Sequence, residues 1–165
     1  MPTALKERKT IISDSELAQR VAVIKRFKDL LVQQCERFRS YLAVLDRQQL
    51  LIGIDSADEI IAHVELEEQI VADIFSIQKV IDSMEVMYNS TGPYLPANDV
   101  LELKATLEEL RIQAAVRSGQ NRDLLSSRME EINRDIQAIK NNPFMSTVRF
   151  SLYQNAAPSL VDIMG

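Results

Sequence analysis

From Leu17 to Ile52 the chain carries a seam whose positions alternate steps of four and three residues. They read Leu17, Val21, Ile24, Lys28, Leu31, Cys35, Phe38, Leu42, Leu45, Gln49 and Ile52, and nine of the eleven are apolar. A repeat of 3.5 residues held this long marks a helix that packs lengthwise against partners. At about 1.5 Å per residue such a helix is about 55–60 Å long, too long for a compact globule of 165 residues. The pattern predicts an elongated, antiparallel, coiled-coil-like bundle. Its start signal is Asp14 or Ser15, with acids close behind.

The breakers divide the rest. Proline is absent from 14–52, 56–88 and 99–140, and Asn89–Asn98 is a dense loop signal around Gly92, Pro93 and Pro96. Three long helices near 14–52, 57–89 and 99–140 follow, and the expected fold class is all-α. Only 4 Gly and 5 Pro in the whole chain argue against a strand-rich fold with many turns. The second stretch has a clear stripe at Ile70, Ile74, Ile77, Ile81, Met84 and Tyr88. Upstream it reads Ile61, Val64 and Val71, with Glu68 interrupting, which predicts a seam shift and irregular packing around Glu67–Glu68. The third stretch runs through Val100, Leu103, Leu107, Leu110 and Ala114. A polar interval at 117–122 follows, then Leu125, Met129, Ile132, Ile136 and Ile139. A lone Gly119 costs only about 1 kcal/mol in a helix, so one continuous helix is expected rather than two. The domain plan is an N-terminal extension at 1–13, a bundle at 14–140 and a tail at 141–165.

Charge is unevenly placed. Residues 1–55 carry 10 basic and 7 acidic groups, and residues 56–98 carry 1 and 8. A positive first helix beside a negative second favours their pairing. With a formal net charge of −5, the chain is a poor ligand for nucleic acid, and Lys25-Arg26-Lys28 reads as a solvated or partner-facing surface. No apolar run reaches the roughly 20 residues of a membrane span, and no secretory leader is evident. The expected compartment is the cytoplasm, without membrane insertion.

Catalytic chemistry finds little support. Cys35 is the single cysteine and His63 the single histidine. Cys35 sits at an apolar helical position and reads as a small core residue. His63 has no second histidine and no Glu-x-x-His pattern to make a metal pair. The glycines are scattered, so there is no phosphate loop. The second helix lacks the spaced oxygen ligands and central glycine of a calcium loop. A histidine phosphotransfer domain would also be helical, but Glu65, Glu67 and Glu68 follow His63 and would repel a phosphoryl group. No catalytic residue, metal or cofactor is expected.

After Pro143 the pattern changes. Phe144, Met145, Val148, Phe150, Leu152, Tyr153, Leu160, Val161, Ile163 and Met164 are apolar or aromatic residues set among small polar ones. A purely solubilising tail would be poorer in such residues. The segment is either folded back on the bundle or kept for a partner.

The stretch Leu30-Leu31-Val32-Gln33-Gln34-Cys35-Glu36-Arg37-Phe38 through Leu51-Ile52-Gly53-Ile54-Asp55 resembles the first helix and break of the FlgN-type flagellar export chaperones. Ile60-Ile61-Ala62-His63-Val64-Glu65-Leu66-Glu67-Glu68-Gln69-Ile70-Val71 resembles the helix that follows there, and the likeness covers about residues 15–140. It implies a cytoplasmic, non-enzymatic chaperone of the flagellar type III export apparatus. Its clients would be hook-associated proteins of the hook–filament junction, kept from premature assembly. The client face expected here is Leu125, Met129, Ile132, Ile136 and Ile139 with Phe144, and Tyr153 is the expected contact with the export apparatus. The chain would act as a monomer or homodimer. A general helical scaffold or coiled-coil adaptor is the alternative, and a histidine phosphotransfer domain a more remote one.

Overall fold

The computed structural model describes residues 12–54, 57–91, 98–142 and 144. They form three long helices, α1 (Asp14–Ile54), α2 (Ala57–Ser90) and α3 (Asn98–Lys140), with no strand among the described residues. The all-α bundle expected from the pattern is what the chain folds into. Ser13 is the cap that starts α1. Its hydroxyl accepts from the Glu16 amide at 3.2 Å, and its carbonyl accepts from the Leu17 amide at 3.0 Å. Ser13 and Glu16 stand at the spacing of a capping box. Thr91 closes α2, its amide and hydroxyl both donating to the Tyr88 carbonyl.

Residues Met1–Gly119 form one compact unit and Gln120–Gly165 a second. In the first unit α2 runs antiparallel to α1. Arg20 meets Thr91, Gln34 meets Ile74 and Tyr41 meets Glu67, so α1 numbers rise as α2 numbers fall. The first part of α3 runs parallel to α1, with Lys28 on Asp99 and Arg117 on Asp46. Two clusters of buried side chains join the three helices. Phe27, Leu30, Leu31, Ile81 and Val100 make one. Phe38, Val44, Ile70, Ile74 and Ala114 make the other. Phe27 stacks on Tyr88 at 4.9 Å between ring centroids, with the Lys104 ammonium 5.7 Å from its ring.

The buried face of α1 is wider than one heptad seam. Leu31, Cys35, Phe38, Leu45 and Ile52 are buried as the pattern predicts. A second row, Phe27, Gln34 and Gln48 with half-buried Tyr41, is buried beside it. A helix that packs against two others must bury two adjoining rows, and this is the cause. The seam is shorter than expected at its start, because Leu17 and Val21 are exposed. Arg20 already contacts Thr91, the last described residue after α2, so the turn that carries Leu17 lies past the end of that helix.

The expected seam shift in α2 does not occur. Stepping back from Ile70 by three and four residues leads through Glu67, His63 and Ile60, and all three are half-buried. Ile61 and Val64 are instead exposed. The seam keeps its register by accepting two polar side chains, and Glu67 is made tolerable there by the bonds it receives. Likewise α3 passes through its polar waist without a break. Arg117 pairs with Asp46, Asn121 is buried, and Gly119 is helical.

A side chain at Gly119 would meet no atom within 4 Å, so Gly119→Ala adds no clash and removes backbone freedom from the unfolded chain. It should stabilise the protein by about 0.5–1 kcal/mol. Leu45→Ala in the core should instead cost about 2–5 kcal/mol, and Phe75→Ala, at an exposed site, about 0.5 kcal/mol or less. Urea titrations followed by circular dichroism check all three.

Candidate functional site

The described part of the second unit is the C-terminal half of α3 with the turn after it. Leu125, Met129, Ile132, Ile136 and Ile139 recur there at steps of four and three, on one face of the helix. Each is exposed, by 36% to 58%, and Phe144 beyond them by 83%. Single exposed apolar side chains are ordinary on a protein surface; here five recur on one face of one helix. The helical repeat passes from buried, polar Asn121 to Leu125 to Met129 in two steps of four. This is a stutter, which locally unwinds a coiled coil. The stripe is thus set off in register from the seam of Val100, Leu103, Leu107, Leu110 and Ala114.

Charges border it. Arg128 pairs with Glu131 on its own helix. The Arg134 guanidinium lies 3.4 Å from the Glu130 carbonyl. Asn142 accepts from the Phe144 amide at 3.1 Å, turning the chain just past Lys140. The geometry suits one kind of work, which is lying against another amphipathic helix. Five of the six residues expected to form a client face share one face of α3, and Phe144 lies beyond the end of that helix. Tyr153 lies outside the described residues.

The other candidates are accounted for by packing. The Cys35 thiol is buried, 4.0 Å from the Leu103 carbonyl, and burial pushes its pKa up. A thiol held in its neutral form is a poor nucleophile. His63 stands in the α2 seam, with Nδ1 buried and without a partner among the described residues. Among the described residues no group of three His, Cys, Asp or Glu side chains could hold a metal ion. A cleft of about 280 Å³ lies between Glu16, Gln19, Arg20, Val23, Met87, Ser90 and Thr91. The Arg20 guanidinium inside it is already committed to the Thr91 carbonyl at 3.0 Å and Glu16 at 2.8 Å, so the cleft is a clasp between helix ends.

Two polar contacts in the first unit escaped the apolar pattern. Gln34 is fully buried and donates to the Ile74 carbonyl at 3.0 Å and to Gln78 Oε1 at 3.2 Å, while its own Oε1 has no partner among the described residues. Glu67 accepts from the Tyr41 hydroxyl at 3.0 Å and from Gln48 Nε2 at 2.5 Å. The signal was present, because Phe27, Gln34, Tyr41 and Gln48 form a heptad row of their own. It is missed when only apolar residues are counted.

No helix among the described residues is long and apolar enough to cross a membrane. No family model matches the chain, and no solved structure matches it. It is similar to an uncharacterized protein of Treponema pallidum (strain Nichols). The two are 32% identical over 131 residues, which cover 78% of this chain and 82% of the treponemal protein. The chain belongs to the family of that protein. The shared length is far more than one helix of this fold supplies, so the likeness extends over several of the family's elements.

Burial of Cys35 has a direct consequence. A water-soluble thiol reagent should modify it at least about tenfold more slowly in the folded protein than in urea. Equal rates in a stopped-flow assay would mean that α1 and α3 do not close over it.

Proposed function

We propose that this chain is a cytoplasmic, FlgN-type chaperone of flagellar export, which holds the terminal amphipathic helices of hook-associated proteins before their secretion. The observation that carries the reading is the exposed stripe Leu125, Met129, Ile132, Ile136 and Ile139 on α3. Helix-in-groove recognition uses anchors at this spacing. A client helix laid along the stripe removes apolar surface from water on both sides, at about 25 cal/mol per Å². It also hides the face through which clients would otherwise polymerise. The resemblance of α1 and the start of α2 to FlgN-type chaperones supports the same reading. In it, the buried cysteine and seam histidine of the first unit serve packing. The chain works by binding alone, and Tyr153 is the contact with the export apparatus.

The test is calorimetric titration of the full chain with the terminal helical segment of a hook-associated protein. The double variant Ile132→Asp with Ile136→Asp should lose detectable binding. Both residues are exposed, so its thermal midpoint should stay within a few degrees of the parent's, about 5 °C at most. Unchanged affinity in the double variant rejects this face as the client site.

A further inference from the structure

We propose that the α3 stripe is also the contact between two copies of this chain, which pair it antiparallel and shield it while no client is bound. The inference shares with the client reading only the stripe as a docking face. The apolar steps define a heptad in which Arg122, Met129 and Ile136 occupy one core position and Leu125, Ile132 and Ile139 the other. In an antiparallel pair the two kinds of position face each other. Met129 then meets Ile132 of the second copy, and Leu125 meets Ile136. By symmetry each contact occurs twice, giving four closed apolar layers.

The flanking charges select this arrangement. In that register Arg128 stands opposite Asp135 of the second copy, and Asp135 opposite its Arg128. One self-complementary pair of residues therefore gives two ion pairs. In the single chain Arg128 pairs with Glu131, one turn along the same helix, and docking exchanges or shares that partner. Ser126 faces Asn133, a neutral match. Arg122 lies at the end, opposite Ile139, where its stem can cover apolar surface while its head stays in water. A parallel pairing is worse. It sets Arg122 against Arg122 and leaves Arg128 opposite Asn133. The interface lies wholly within the second unit. It is small, so the pairing is weak and reversible, and a client helix that occupies the stripe competes with it directly.

The experiment is sedimentation equilibrium of the full chain over a concentration series, with two charge variants. The parent should dimerise. Arg128→Asp places two acids opposite each other at both ends of the interface, and Asp135→Arg places two arginines there. Each variant alone should weaken self-association by about tenfold or more. Mixed together, the two variants should form a heterodimer, because every facing pair becomes opposite in sign again. Both lie outside the apolar stripe, so folding is preserved, and circular dichroism confirms it. A parent that stays monomeric at all concentrations overturns the proposal. So does an Arg128→Asp variant that dimerises as the parent does, which is the parallel outcome. Dimerisation without client binding rejects the chaperone reading and keeps this one. Client binding by a strict monomer does the reverse.

Discussion

The structure depends on the burial of two adjoining rows of α1 side chains. Phe27, Leu31, Leu45 and Leu51 are almost wholly withdrawn from water, and each buried side chain of this size contributes about 1.5–3 kcal/mol. Neither α2 nor α3 has comparable burial along its length. Only Ile70, Ile74 and Ile81 of α2 are buried, and only Val100, Ala114 and Asn121 of α3. The first helix is the strip against which the other two are laid. Where that strip meets two partners the bundle is firm, and its polar inclusions specify how the partners align.

Those inclusions are the least expected feature of the core. Gln34 gives both amide protons to α2 yet its carbonyl oxygen has no partner among the described residues. An unmatched buried acceptor costs about 1–3 kcal/mol. An apolar residue there would avoid that cost but would accept α2 in neighbouring registers as well. Glu67, held by Tyr41 and Gln48, adds a second fixed point two turns away along α2. Polar residues in coiled-coil seams fix alignment at a cost in stability, and these two contacts fit that role. The ion pairs Lys28–Asp99 and Arg37–Asp73 lie in solvent and add little by comparison.

Much of this was legible in the amino-acid sequence, for a physical reason. Long helices without proline must bury their apolar face, so the repeats of α1, α2 and α3 announced the elements to within two residues at their ends. The stripe from Ile70 to Tyr88 and the run from Val100 to Ala114 are buried or half-buried as their spacing required. The misses share one cause. A rule that counts only apolar residues takes Ile61, Val64 and Val71 for the seam, with Glu68 interrupting, and passes over His63 and Glu67, which are members of it. The opposite error made Leu17, Val21, Ile61 and Val64 core when they are exposed. Periodicity states which face a residue occupies, but only the register between helices decides whether a partner reaches it. The stripe from Leu125 to Ile139 could be read directly. Whether such a stripe stays exposed depends on what packs nearby, and each of its five residues is exposed.

α3 is one helix with two kinds of surroundings: Val100 and Ala114 of its first half are buried in the core, whereas the apolar stripe from Leu125 to Ile139 is exposed. Isolated helical turns in water open readily, since most helical stability comes from packing. Hydrogen exchange of the full chain at low concentration measures this along the helix. Amides of residues 100–118 should exchange slowly and those of 124–140 quickly, with the second group slowing as protein concentration rises or a client segment is added. Equal, strong protection of both halves at the lowest concentration would contradict the account.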